Sequence, residues 1–332
     1  MRCVTLVSFS FLINGEVCGS LKPSRGLRQG DPLSPYMFLI CAEGLSSLIR
    51  IAVSCGDITG YWCGSTGPLI LHLIFADDSL FFANTDEKNC RAIKHILGDY
   101  ALASGQEVNF SKSALCTSKS VFRAQRMRLA NIVGVNLVRY HEKYLGLLSF
   151  ASRNKKQLLE NLKERVWSKI SGWKHKLFLA GGKEVLIKEV IQSIPSYAMN
   201  LFCLPKGLIS DIHRFYSRFL WGNTDVDRKL HWGSWEKLCE GKNNGRLRFR
   251  DLSLFNQVML AKQCWSITKW PNSLVARVLK GRYFPTTDFL NAGRCSDGSF
   301  VWRRLLWGRE LHEEGSKWPV GAHSSISIYR DR

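Results

Sequence analysis

The stretch LILHLIFADDSLFFAN, residues 69–84, sets two adjacent aspartates between two runs of large apolar side chains. The flanks read as strands and Ala76-Asp77-Asp78 as the tight joint between them. Two carboxylates at a hairpin tip can face one small volume, which neighbours in mid-strand cannot, because they point to opposite faces. They repel each other unless a cation sits with them. Mg²⁺ takes a few carboxylates plus phosphate oxygens, and a pair of such ions stabilises the attacking and leaving oxygens of phosphoryl transfer. An isolated Asp-Asp turn more often caps local backbone amides, so this pair has to be weighed with its surroundings.

The chain has 332 residues, of which 45% are hydrophobic and 11% aromatic. That is enough apolar material for a sizeable core and excludes a disordered polymer; the length suits two or more compact units. Forty-seven Lys and Arg against 27 Asp and Glu give a net charge of +20. Such an excess attracts polyanions, nucleic acid first among them, although ribosomal and membrane-surface proteins share it. Eleven cysteines, with no C-x-x-C pair and no nearby histidine cluster, argue against a disulfide framework and a zinc site. They point to a reducing, intracellular setting, nuclear or cytoplasmic. The opening MRCVTLVSFSFLING is broken by Thr5, Ser8 and Ser10 and lacks a cleavage site, so it reads as structure and not as a signal peptide. No uninterrupted apolar run of about 18 residues exists, so no membrane span is expected.

Phe9, Phe11 and Ile13 alternate with serines before Asn14-Gly15, the commonest two-residue hairpin turn. After the basic loop 22–30, Asp31 is expected to cap, and Pro32 to open, a helix that buries Leu33, Met37, Ile40, Cys41, Leu45 and Leu48 on one face. Following the aspartate hairpin, Thr85 is the expected cap of a helix with Ile93, Leu97, Tyr100 and Ala101 on its apolar face, ending at Gly105. Val108 and Phe110 suggest a short strand. The order hairpin, helix, hairpin, helix, strand predicts an α+β fold, an antiparallel sheet with helices on one face. Beyond about residue 120 the pattern turns helical and basic. Leu159, Leu162, Val166, Ile170 and Trp173 recur at helical spacing among Lys155, Lys156, Lys163, Arg165 and Lys169. A second helical run ends near Pro195, and a third starts near Pro205 with Leu208, Ile212, Phe215 and Phe219. Tryptophans at this spacing, Trp167 and Trp173, are more often core than stacking platforms; His72, within a strand, is expected to be a core or edge residue. The predicted regions are 1–120, 121–205 and 206–332, the last rich in Trp and Arg.

The segments SRGLRQGDPLSPYMFLI (24–40), FADD (75–78), SGQEVNFSKS (104–113) and KYLGL (143–147) occur in that order. Together they resemble the palm of reverse transcriptases, above all those of plant LINE-type, non-LTR retrotransposons. The similarity continues through GWKHKLFLAGGKEVLIKEVIQSIPSYAM (172–199), HWGSWEKLC (231–239) and ARVLKGRYFP (276–285). The resemblance implies an RNA-directed DNA polymerase ancestry: a partial palm, thumb-like helices and a C-terminal extension. It makes Asp77 and Asp78 metal-binding catalytic residues. It places Arg28, Gln29 and Gly30 against template and incoming nucleotide, Lys112 near the pyrophosphate leaving group, and Tyr144 and Gly146 at the turn that positions the primer end. RNA template, DNA primer and dNTP are the implied partners, with Mg²⁺ as cofactor.

The family's two-ion site uses one more aspartate, on a strand ahead of RQG. In this chain Glu16, Asp31, Glu43 and Asp57 are the only acidic residues before position 71, and none lies in an apolar strand ahead of the first hairpin. The start Met1 is therefore expected to fall inside the palm, with the fingers and that aspartate in a missing N-terminal half. Weak or absent Mg²⁺ binding and little or no catalysis follow for the chain alone. The competing expectations are a non-catalytic nucleic-acid-binding relic and an unexpressed pseudogene product.

Overall fold

The computed structural model describes residues 7–23, 26, 30–64, 66–139, 143–145, 147–148, 155–173, 178–222, 230–295 and 298–316. Arg28, Gln29 and Gly146 lie outside the described residues, as do the side chains of Lys155 and Lys156. The chain divides into two compact units, one of residues 1–62 and 69–145 and one of residues 63–68 and 146–332.

The first unit opens with β1 (Phe9–Ile13) and β2 (Glu16–Leu21), antiparallel with Ile13 opposite Glu16. Asn14 and Gly15 take φ 52° and 90°, as a two-residue turn matched to strand twist requires. Phe11, Leu12, Ile13, Val17 and Leu21 remain exposed. Helix α1 (Ser34–Ser54) begins later than expected. Asp31 does not cap it; its Oδ1 accepts from the Leu33 amide at 2.8 Å in a local turn, and Pro35 occupies the first helical turn. Leu45 and Ile49 are buried, while Ile40, Leu39 and Leu33 are exposed, so the buried stripe is narrower and shifted from the predicted one. Among the described helices, α1 is long and apolar enough to cross a membrane by length and composition alone, while its Leu45 and Ile49 belong to the core of the unit. Glu43 and Arg50 interrupt its sequence, which is why no continuous run is visible, but they pair with each other one face away from Leu45.

Strands β3 (Tyr61–Trp62) and β4 (Leu69–Ile70) pair, as do β5 (His72–Phe75) and β6 (Asp78–Phe81). The apolar run 69–75 is thus two strands meeting at Leu71, whose carbonyl accepts from the Phe82 amide at 2.7 Å. Helix α2 (Glu87–Ser104) is capped by Asp86, not Thr85: the Asp86 carboxylate accepts from the Asn89 amide at 2.7 Å and from the Asn89 side chain. It ends at Gly105 with φ 71°, as expected. Leu45, Ile49, Ile58, Ile96, Leu97 and Tyr100 form the core. The predicted strand at Val108–Phe110 is absent. The chain there bends into a turn in which Asn109 accepts from Lys112 and Ser113, and the strand is β7 (Ala114–Leu115), parallel to β8 (Asn136–Leu137) after helix α3 (Arg123–Val133). Among the described residues the strands form five separate two-stranded sheets, including β9 (Lys143–Tyr144) with β10 (Leu147–Leu148), and not one continuous antiparallel sheet. The mixed α+β character stands.

The second unit is helical. In α4 (Lys155–Ser171) the side chains of Leu162, Val166 and Ile170 are buried. Helix α5 (Ala180–Val185) runs on through a π turn (Leu186–Val190) and a 3₁₀ turn (Ile191–Ser193), followed by α6 (Ser196–Met199). Helix α7 (Lys206–Trp221) starts after Pro205 and buries Leu208, Ile212 and Phe219. Trp167 packs on Phe215 with ring centroids 5.0 Å apart, and Trp173 on Phe219 at 5.8 Å; Trp173 packs against the core, and Trp167 is half-buried. Helices α8 (Trp235–Cys239), α9 (Leu252–Lys269), α10 (Leu274–Tyr283) and α11 (Phe300–Gly315) complete the unit. The fully buried Asn256 of α9 binds three backbone groups at the end of α6 and just after it. Its Oδ1 accepts from the Leu204 amide at 2.7 Å, and its Nδ2 donates to the Met199 and Phe202 carbonyls at 2.9 and 2.8 Å.

Candidate catalytic hairpin

The β5–β6 hairpin answers why apolar flanks carry two carboxylates. Phe81, at the base of the hairpin, and Ile74, one residue before the tip-side end of β5, both pack on the core of the first unit. The register runs from His72 opposite Phe81 to Phe75 opposite Asp78, which leaves Ala76 and Asp77 as the two turn residues. Phe75, Asp77 and Asp78 are exposed. The tip therefore projects its carboxylates into solvent from a base tied into the core.

Ala76 has φ 48°. An L-residue in the left-handed region costs roughly 1–2 kcal/mol, and here the two-residue connection between paired strands imposes it. The sequence suggests a three-residue joint, Ala76-Asp77-Asp78; Asp78 instead pairs with Phe75 as the first residue of β6, and the shorter two-residue turn is what requires a positive φ at Ala76. A second support was not expected from the sequence. His72 Nε2 lies 3.0 Å from Ser46 Oγ on α1, fastening the base of the hairpin to the helix. His72 Nδ1 is buried without a partner. Burial lowers the His72 pKa, Arg50 lowers it further and Glu43 opposes them, which favours the neutral imidazole.

The other expected site residues have defined local frames. Gly30 is exposed with φ 86°, a backbone that only glycine adopts without strain. Lys112 is exposed in the Asn109 turn, its amide 3.2 Å from the Asn109 Oδ1. Tyr144 is half-buried in β9, followed by Leu145 at φ 50°. Among the described residues no hydrogen bond or ion pair joins the side chains of Asp77, Asp78, Lys112 and Tyr144 to one another, and no group of three or more His, Cys, Asp or Glu residues is placed to hold a metal ion. Two carboxylates are the right donor type for Mg²⁺, which completes its shell with waters and phosphate oxygens. They fit one such ion in kind. A pair of ions held in register needs a further anionic ligand.

The family described as Reverse transcriptase (RNA-dependent DNA polymerase) matches residues 2–148. An uncharacterized mitochondrial protein of Arabidopsis thaliana is 36% identical over 141 residues, 42% of this chain and 92% of that protein. Residues 2–148 thus belong to the reverse transcriptase family. A putative ribonuclease H protein of the same plant is 30% identical over 183 residues, 54% of this chain and 30% of that protein. A second uncharacterized mitochondrial protein is 54% identical over 69 residues, 21% of this chain and 57% of that protein. The reverse transcriptase match contains the first unit from residue 2 to Leu145 and so includes Gly30, Asp77, Asp78, Lys112 and Tyr144.

The net charge is distributed away from that match. Residues 1–150 contain 15 Lys and Arg against 11 Asp and Glu, whereas residues 151–332 contain 32 against 16 and so carry +16 of the +20. A polyanion would find its attraction chiefly in the helical part.

Proposed function

We propose that the chain is part of a LINE-type, non-LTR retrotransposon reverse transcriptase, with Asp77 and Asp78 as its metal-binding aspartates. By themselves, these 332 residues do not sustain nucleotidyl transfer. The carrying observation is the exposed Asp77-Asp78 tip on a core-anchored hairpin inside the segment that matches the family. Gly30 then lies against the nucleotide with Arg28 and Gln29, Lys112 faces the leaving pyrophosphate, and Tyr144 with Gly146 seats the primer end. Divalent ions supply charge neutralisation to the reacting oxygens when bound. The two aspartates would hold one ion, and a second ion would need a further carboxylate beside them. Losing one ligand of such a site lowers the rate by several powers of ten, each about 1.4 kcal/mol.

The test is primer extension on an RNA template with Mg²⁺. The 332-residue chain is expected to give no extension, and a longer polypeptide that adds an aspartate-bearing strand is expected to give extension that Asp78→Asn abolishes. Robust extension by the 332 residues alone, lost in Asp78→Ala, would overturn the incompleteness. A second reading, a nucleic-acid-binding protein without catalysis, is favoured by the +16 on residues 151–332. It predicts salt-dependent binding with no extension in either polypeptide.

A further inference from the structure

We propose that the C-terminal end of α9 is a stacking platform for unpaired bases of a single-stranded nucleic acid, built from Trp265 and Trp270 around the ammonium of Lys269. The site lies outside the segment matched to reverse transcriptases and does not depend on nucleotidyl transfer.

Three observations converge on it. Trp265 and Trp270 are 43% and 50% exposed, although the same unit buries Trp235 and Trp302 almost completely. Their rings meet edge to face, with centroids 5.3 Å apart and an interplanar angle of 79°. The backbone fixes this arrangement: Trp270 N donates to the Ser266 carbonyl at 3.0 Å, and the Trp270 carbonyl accepts from Ser273 N at 3.0 Å. Two rigid indoles left in water are a preformed surface, and the ordering entropy that a flexible loop would lose on binding is already spent.

The second observation is the cation between them. Lys269 Nζ lies 4.5 Å from the Trp265 ring centroid and 5.1 Å from that of Trp270. A base that stacks on either ring displaces the ammonium toward the adjoining phosphate, so one residue serves the empty and the occupied states. The third is the charge along α9 and α10. Residues 252–287 contain Lys262, Lys269, Arg277, Lys280 and Arg282 and no Asp or Glu. All five cations are exposed, and among the described residues none is in a salt bridge. Lys262 and Lys269 flank Trp265 at three and four residues' distance along the helix, on its side of α9. Aromatic faces interleaved with unpaired cations are the chemistry of sequence-tolerant single-strand binding. A lipid surface is the poorer occupant, because a buried indole pair would draw Lys269 into the acyl region, and the ammonium lies over the rings instead of reaching away from them.

The test compares a fluorescein-labelled oligothymidylate with an abasic deoxyribose-phosphate strand of equal length, each titrated by anisotropy with the 332-residue chain at two salt concentrations. The wild type is expected to prefer the strand with bases. Trp265→Ala with Trp270→Ala should weaken oligothymidylate binding roughly 10- to 100-fold, as one or two lost stacks imply, and leave abasic binding within about a factor of two. Trp265→Phe with Trp270→Phe should recover most of the loss. Lys269→Gln should weaken both strands and reduce the salt slope by about 0.7. If the alanine pair impairs folding, Trp265→Gln alone reads the same contrast. Equal affinity of the wild type for both strands, or equal losses on both in the tryptophan variants, would overturn the proposal. So would loss of phosphatidylserine-vesicle binding in those variants with oligothymidylate binding intact.

Discussion

Asn256→Ala is the sharpest stability test of the helical unit. The wild-type side chain is fully buried and engages the Leu204 amide and the Met199 and Phe202 carbonyls at 2.7–2.9 Å. Truncation leaves three buried backbone groups without that partner, at about 1–3 kcal/mol each. The removed amide makes room for about one water, which can satisfy part of this loss, and alanine favours α9 by several tenths of a kcal/mol. The net expectation is a destabilisation of about 2–5 kcal/mol. Ten of the 11 tryptophans, all but Trp62, lie in the second unit, so tryptophan fluorescence during urea unfolding reports this unit specifically. Asn256→Asp should be worse at neutral pH, since it retains the acceptor for Leu204 and sets a buried carboxylate against two carbonyl oxygens. A change below about 1 kcal/mol in Asn256→Ala, at an unchanged slope with urea, would refute the idea that this residue pins the segment after α6.

Other substitutions and a pH series probe separate points. A Cβ at Gly308 of α11 would lie 2.7 Å from the Leu260 carbonyl carbon and 2.8 Å from Leu260 Cβ, so Gly308→Ala should push α9 and α11 apart and lower stability by about 1–3 kcal/mol in the same urea assay. Ala76→Gly relieves the left-handed turn residue and should leave thermal stability unchanged or raise it by up to about 1 kcal/mol; a clear loss would show that the turn is not strained. His213 Nε2 accepts from the Leu252 amide at 3.3 Å, and burial lowers its pKa against the opposing pull of Asp251 and Glu236. The unfolded chain therefore binds this proton more readily. The contribution of neutral His213 is complete above the ordinary histidine value of about 6.5 and is lost as pH falls below it. Melting temperature should drop between pH 7.5 and 5.5, and drop less in His213→Gln.

Much of the local structure was legible because single residues dictate it. Asn14-Gly15 demanded a hairpin, Gly105 a helix end, and the spacing from Leu159 to Ile170 a buried stripe, and each is found. Errors arose where two neighbours offered the same chemistry. Thr85 and Asp86 can both cap a helix, but only Asp86 also holds the side chain of the buried Asn89. Val108 and Phe110 gave just two alternating positions, too few to outweigh a turn closed by Asn109. Ile40 and Leu39 show that an apolar helix need not bury every apolar residue. At the hairpin, the exposed pair Asp77-Asp78 was readable from its flanks, whereas the Ser46–His72 contact joins residues 26 positions apart and has no local signature. The π turn at Leu186–Val190 likewise adds one residue to a helix without disturbing a pattern short enough to see.

The separation of charge along the chain has a physical rationale that links the two proposed sites. A divalent cation approaching Asp77 and Asp78 is repelled by every net positive charge nearby, by about 0.8 kcal/mol for each one at roughly 10 Å in water before salt screening. Residues 1–150 carry only +4, so the hairpin's own part of the chain opposes a metal ion weakly. Residues 151–332 carry +16, including residues 252–287, which contain no Asp or Glu, and there attraction for phosphates is an advantage. A uniform distribution of the same +20 would weaken cation binding at the hairpin and polyanion binding at the helices together. Taken each by itself, the part that carries the acidic tip is close to charge balance and the helical part is strongly positive, the sign of charge that each proposed ligand requires.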